Sequence, residues 1–242
     1  MNAVGPAGAA IHAVSGHDSP YLQTAVRLFR ELFPEYERYV PFLEACAECR
    51  SPRYPATHNH LWVLERGNAA IGLRVFCYLP RRDLGYGIFI GVLPPYRSLG
   101  LGAWLVRQTI DQLASDAKVY RRPEPLGYCA EVERVGDAES AADRLTRQRR
   151  LAFHIRNGAL LLPVDYLEPP MPPGENTVAS TSGHQPRPMH LVFYPTADRE
   201  HLTRGELLDV LGGLYFDVYQ VPADTSYLQQ VLNSVSERGA SC

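Results

Sequence analysis

Arg97-Ser98-Leu99-Gly100-Leu101-Gly102 stands between a strand-like run, Tyr86-Gly87-Ile88-Phe89-Ile90-Gly91-Val92, and an amphipathic helix pattern from Ala103 to Leu113. Leu93-Pro94-Pro95-Tyr96 joins the strand to the turn. A strand, a glycine-bearing turn and a helix start together make an anion site. The first N–H groups of a helix have no intrahelical partner, and the helix dipole places partial positive charge there. Gly100 and Gly102 lack a Cβ, so a phosphate can approach the backbone closely. Two familiar phosphate loops are excluded. A P-loop needs Lys then Ser or Thr after its second glycine, and Gly102 is followed by Ala103-Trp104. A dinucleotide fingerprint needs a third glycine, and that position holds Leu105.

The pattern that remains is R-x-x-G-x-G after V-x-P-x-Y, from Val92 to Gly102. It resembles the acyl-CoA pyrophosphate loop of the GNAT superfamily of N-acetyltransferases. The resemblance spans roughly residues 11 to 195 and is specific mainly between 86 and 113. It implies acetyl-CoA as acyl-donor co-substrate, with Arg97, Ser98, Leu99, Gly100, Leu101 and Gly102 at its pyrophosphate. It also assigns the backbone amides of Gly91 and Val92 to the pantetheine arm and the acetyl carbonyl.

Acetyl transfer to an amine needs a proton taken and a proton given. A free alkylamine is mostly ammonium at neutral pH, since its pKa is about 10. The run 86–92 has no carboxylate, whereas the next strand offers Glu131 and Glu133, which at i, i+2 share one side. By resemblance the base is one of these two. The alternative is that both end a strand in solvent, bonded to nearby arginines. For the proton donor, the family often carries F-Y-E-x-x-G-F, and the matching stretch is Phe153-His154-Ile155-Arg156-Asn157-Gly158-Ala159. His154 replaces the tyrosine and Ala159 the last phenylalanine. An imidazolium with a pKa near ~6.5 can protonate a thiolate. His154 as helix packing, with solvent as donor, is the other reading. Arg147, seven residues earlier, takes the place of a family asparagine at the cofactor and offers a partner for a CoA phosphate. The default reading of Arg144, Arg147, Arg149, Arg150 and Arg156 together on this helix pattern is a solvated basic face.

Cys46-Ala47-Glu48-Cys49 with His58-Asn59-His60 is the competing constellation. Zinc-finger spacing puts about 12 residues between the pairs and about 3 to 5 between the histidines. Here eight and one separate them, so these residues are not expected to hold a metal. Cysteines at i, i+3 on a helix more often pack as small core residues. Cys129 lies on a strand with no histidine beside it in sequence, so no covalent acyl-enzyme is expected.

The elements that position these groups follow from periodicity. Ser19-Pro20 reads as a cap and first position of a helix over 20–33, with a second helix over 41–49. Residues 61–64 and 70–79 read as a hairpin, followed by the strand at 86–92. A strand at 126–132, a polar helix stopped by Asn157-Gly158, and strands at 159–167 and 189–194 complete the pattern. The expected class is α/β (α+β): a mixed, twisted sheet of about six to seven strands flanked by helices. Residues 1–195 read as the acetyltransferase domain, with a long mobile loop at 168–188. Residues 196–242 read as a helical appendage packed on it, because they lack the apolar surface to fold alone.

The chain has 242 residues, a net charge of −2 and five Cys. That composition gives no basic field for nucleic acid, no membrane-spanning run and no disulfide framework, and no signal peptide is read at the N-terminus. A cytoplasmic enzyme is expected, transferring acetyl to a primary amine of a small molecule or peptide by direct attack. In the family, residues 20–60 and 168–188 would shape the acceptor site, and Tyr36, Tyr39, Phe42 and Tyr54 make that wall aromatic. Acceptor identity and oligomeric state are not legible. A CoA-binding module without catalysis, or an interaction protein using its C-terminal helices, are the competing classes.

Overall fold

β2 (His58–Arg66) and β3 (Ala69–Leu79) form a hairpin whose turn relies on Gly67, at a φ of 60°. β3 carries Ile71, Val75, Phe76 and Tyr78, and β2 carries Trp62 and Val63 within an apolar run from Leu61 to Leu64. β3 is buried from Ile71 to Leu79 because helices α1 (Leu22–Leu32) and α3 (Leu101–Val119) pack against it. The computed structural model of the chain describes residues 5–49, 55–169, 185–197 and 200–238. It divides into two compact units, 1–125 and 126–242.

In the first unit β1 (Ala9–Ala13), β2, β3 and β4 (Leu84–Val92) pair antiparallel in that order. The β3–β4 register shifts where Val75 faces Phe89 but Phe76 faces Gly87, so Ile88 bulges out of the ladder. From there onward β4 changes from buried to part-exposed. A buried arginine supports the bulge: Arg74 Nε donates to Thr109 Oγ1 at 3.0 Å and Nη1 to the Phe89 carbonyl at 3.4 Å. α1 buries Leu22, Ala25, Val26, Leu28 and Phe29, and Pro34 follows its end. Its start differs from expectation. Ser19 Oγ accepts from the Tyr21 amide in a preceding turn, and α1 begins at Leu22 without a side-chain cap. α2 (Val40–Cys46) is a short helix that buries Phe42, Leu43 and Cys46.

The second unit is built on β8 (Arg187–Pro195), which pairs antiparallel with β5 (Gly127–Glu133), β6 (Leu160–Leu161) and β7 (Leu167–Glu168). α4 (Ala141–Arg156) starts at Ser140, whose side chain accepts from the Asp143 amide, and Gly158, at a φ of 90°, follows its end. The single strand expected at 159–167 is two short ones instead. Pro163 lies between them and cannot donate to a ladder. This break raises the number of described strands to eight, against the six to seven expected. Every pairing detailed above is antiparallel, so the mixed α/β class holds with a mostly antiparallel sheet. The ends of the expected loop at 168–188 are strand, and residues 170–184 of it lie outside the described residues.

α5 (Arg204–Gly212) opens with a complete capping box between Thr203 and Glu206 and runs into a π-helical turn, Gly213–Val218. α6 (Ser226–Arg238) follows and packs against α5 and β7. The C-terminal helices are tied to the strands by Tyr215, whose hydroxyl donates to the Leu167 carbonyl at 2.6 Å, and by Ser234 Oγ, which accepts from the Asp165 amide at 3.3 Å. Among the described residues, no helix is long and apolar enough to cross a membrane.

Candidate functional site

The turn between β4 and α3 joins a strand end to an uncapped helix start. Pro94–Tyr96 forms a single 3-10 turn, and Arg97 Nε donates back to the Val92 carbonyl at 2.9 Å, tying the loop to the strand end. Ser98 and Gly100 both adopt left-handed backbone, with φ of 66° and 76°. Such a conformation suits Gly100 at no steric cost and is strained for Ser98. Gly100 is the N-cap of α3, and no side chain caps that helix. Among the described residues, the amides of Ser98, Leu99, Gly100, Leu101 and Gly102 donate to no backbone or side-chain acceptor. Arg97, Ser98, Leu99 and Gly100 are exposed, Gly102 is half-buried, and Leu101 alone is anchored in the core. A Cβ on Gly100 would meet only Pro6 Cγ, at 4.0 Å. These are unsatisfied donors on an open surface, five in sequence, at the positive end of a 19-residue helix.

Gly91 and Val92 lie at the part-exposed end of β4. A Cβ on Gly91 would come within 3.0 Å of Phe33 Cζ and 3.1 Å of Leu32 Cδ1, so a glycine lets the end of α1 sit close to the strand. Beside it an aromatic cluster gathers on Phe89. The rings of Phe29, Phe33, Tyr36 and Tyr39 lie 4.9, 5.0, 5.6 and 6.4 Å from it. Tyr36 and Tyr39 of the expected aromatic wall are therefore in this cluster. Phe42 is buried, and Tyr54 lies outside the described residues. Sequence reasoning missed Phe33 and Phe89, although the i, i+4 spacing of Phe29 and Phe33 and the alternation along 86–92 would have pointed to them.

The second unit carries the proton-handling candidates, and each has a partner. Glu131 of β5 accepts from two tyrosine hydroxyls: Tyr166, and Tyr219 just after the π-helical turn, at 2.8 Å to Oε2. Tyr166 is fully buried, and Tyr219 is 6% exposed. Burial first, and the Glu131 carboxylate second, push the Tyr166 phenol well above its usual range, so it stays an O–H donor. Glu133 accepts from Arg150 Nη1 at 2.7 Å, in a pair whose carboxylate is 17% exposed. His154 of α4 is half-buried, with Nδ1 2.8 Å from the hydroxyl of Tyr194, a buried residue of β8 whose ring stacks on Tyr128. Arg147 is engaged within its own unit. It holds Asp143 through Nε at 3.0 Å and Nη2 at 2.9 Å, and Nη1 donates to the Arg134 carbonyl at 3.0 Å. The hydrogen bonds from Arg147 hold the Asp143 carboxyl below its ordinary value. Tyr166, Tyr194 and Tyr219 were not legible as partners. They lie 35 to 88 residues from the groups they contact, and no local pattern links them.

Cys46 is fully buried in α2, where burial pushes its thiol up as expected of a small core residue. Cys77 and Cys129 are likewise buried.

Residues 23–122 match the model of the Acetyltransferase (GNAT) family. The match contains β4, the loop and α3, and it ends before β5. No curated protein sequence matches the chain. Among solved structures, one described as a GNAT-family acetyltransferase from Bacteroides thetaiotaomicron aligns at a TM-score of 0.52 and 20% identity, covering 88% of this chain and 99% of that one. It shows the fold. An acetyltransferase from Bacillus subtilis in complex with CoA aligns at 0.45 and 13% identity, over 77% and 98% of the two chains. A GNAT-family acetyltransferase from Elizabethkingia anophelis with acetyl-CoA bound aligns at 0.44 and 17%, over 77% and 97%.

Proposed function

From the match of residues 23–122 to the Acetyltransferase (GNAT) family, we propose that this chain transfers an acetyl group from acetyl-CoA to a primary amine of a small molecule or peptide. The observation that carries the proposal is the open row of amide donors from Ser98 to Gly102 at the uncapped start of α3. A pyrophosphate is the ligand with the charge and number of acceptor oxygens to satisfy them. Gly91 and Val92 would then hold the pantetheine arm, with their part-exposed backbone at the end of β4. The aromatic cluster on Phe89, beside Gly91, supports an acceptor with an apolar or aromatic body near its amine. Acetyl-CoA supplies an activated thioester, so the chain needs to orient the amine, take one proton and return one.

Glu133 is the better candidate for the base. Both oxygens of Glu131 already accept from tyrosines, whereas Glu133 has one arginine partner and residual exposure. His154 is the proton donor in this scheme, with Tyr194 fixing its ring. A thiol-release screen with acetyl-CoA against amines, polyamines, aminoglycosides, amino acids and peptides tests the reaction. Acceptor-dependent CoA release is expected from at least one class. A second reading, CoA binding without turnover, is favoured by the internal pairing of Glu131 and Arg147. It predicts CoA affinity with no release for any acceptor.

A further inference from the structure

His58 and His60 sit two residues apart on β2, so strand alternation sends both imidazoles to one face. That face meets Asp116 of α3, a carboxylate only 2% exposed. His60 Nε2 is 2.7 Å from Asp116 Oδ2, and His58 Nδ1 is 4.0 Å from Oδ1. One donor atom from each of the three residues lies within 4.8 Å of the others. Two ligands each about 2.1 Å from a tetrahedral ion stand about 3.4 Å apart. The observed 2.7 and 4.0 Å separations bracket that value, so side-chain adjustments well under a full rotamer change would complete a site.

Three further features suit an ion. Gln112 Nε2 donates to Asp116 Oδ1 at 2.9 Å, an outer bond that orients a ligating carboxylate. The imidazoles are held by stacking: His58 on His60 at 4.9 Å, and His60 on Phe76 at 4.6 Å. A cavity of about 240 Å³ is lined by Thr57, next in the chain to His58, and by Pro80 and Tyr120, and the Tyr120 ring lies 5.9 Å from that of His58. We propose that His58, His60 and Asp116 bind a divalent cation of the zinc class, with water in the remaining position. Two imidazoles and one carboxylate favour such a metal over calcium or magnesium, which take oxygen ligands. Neither Cys46 nor Cys49 belongs to this group. The ligand that completes it lies 56 residues beyond His60, where no spacing rule reaches. The ion would clip β2 to α3, the helix whose first turn carries the amide row. The proposal stands apart from the acetyl-transfer reading.

The test is equilibrium dialysis of chelator-treated full-length protein against Zn²⁺ alone, with Co²⁺ absorption reporting the ligand set. One zinc per chain and a rise in Tm on zinc addition are expected. His58→Phe keeps the ring contacts and leaves the His60–Asp116 bond, and it should weaken zinc by ~100-fold or more. Gln112→Ala, which spares all three ligands, should weaken it by about 10- to 100-fold. No zinc uptake by the parent would show a hydrogen-bonded trio only and overturn the proposal. Equal uptake by parent and His58→Phe would place the ion elsewhere and overturn it as well.

Discussion

Glu131 and Glu133 differ by two positions in sequence and by a great deal in surroundings. Glu131 is enclosed by Tyr166 and Tyr219, whereas Glu133 faces one half-exposed arginine. Glu133→Gln is therefore expected to lower turnover by ~10²-fold or more with CoA affinity nearly intact. Glu131→Gln should chiefly lower stability, by about 1–3 kcal/mol, because a tyrosine hydroxyl loses its charged acceptor. Steady-state kinetics and thermal unfolding of the two variants separate these outcomes, and the reverse ranking would transfer the base to Glu131. His154 is tested by pH. An acid must be protonated to act, so activity falls as pH rises through its pKa. His154→Phe should abolish that decline, and His154→Tyr should retain more activity than Phe. If both variants match the parent across about pH 6 to 9, His154 is packing against Tyr194. His190 gives a stability counterpart. Burial, and then Arg134, lowers its imidazole below the usual value. The unfolded chain then binds more protons, so this contribution is present above the unfolded pKa of ~6.5 and is lost as pH falls from there through the lowered folded value. The parent should lose more Tm than His190→Gln between about pH 7.5 and 5, and parallel curves would count against it.

At the scale of elements, the sequence carried the hairpin, the strand at 86–92, the glycine loop and the following helix, because each is written in local chemistry. Short apolar runs bounded by turn residues mark β2 to β4, and Gly100 marks the left-handed start of α3. Where the reading failed, the deciding interactions were not local. Pro163 splits the expected strand at 159–167, and the short pieces survive only through pairing with β8, which lies far along the chain. The candidate site was legible to the same degree. The amide row could be named residue by residue, but the tyrosines on Glu131 and His154 could not, nor could the commitment of Arg147 to Asp143. The i, i+4 spacing is visible in the sequence, but Arg147 also stands where the family resemblance puts a cofactor contact, and spacing alone does not choose between the two. Two variants test elements directly. Thr203→Ala removes the capping box of α5 and should cost about 1 kcal/mol, read by chemical denaturation. Gly91→Val adds a side chain where Leu32 and Phe33 already press at 3.0–3.1 Å, and it should cost about 1–3 kcal/mol and impair CoA binding. A neutral Gly91→Val would mean that the end of α1 yields freely.

For the whole molecule, the family match covers the glycine loop from Arg97 to Gly102 but stops short of Glu131, Glu133 and His154. Binding and chemistry consequently rest on different grounds, and binding is the foundation. Calorimetric titration of CoA into the parent and into Gly100→Asp measures it. The substitution puts a carboxylate against the phosphates at an exposed position, where a Cβ has room but the backbone keeps a φ of 76°, a left-handed conformation that aspartate adopts with some strain, so a thermal melt must verify that the fold persists. The account predicts saturable binding to the parent and at least a tenfold loss, about 1.4 kcal/mol, in a folded variant. Equal affinity in both proteins, or no binding to the parent, would contradict it.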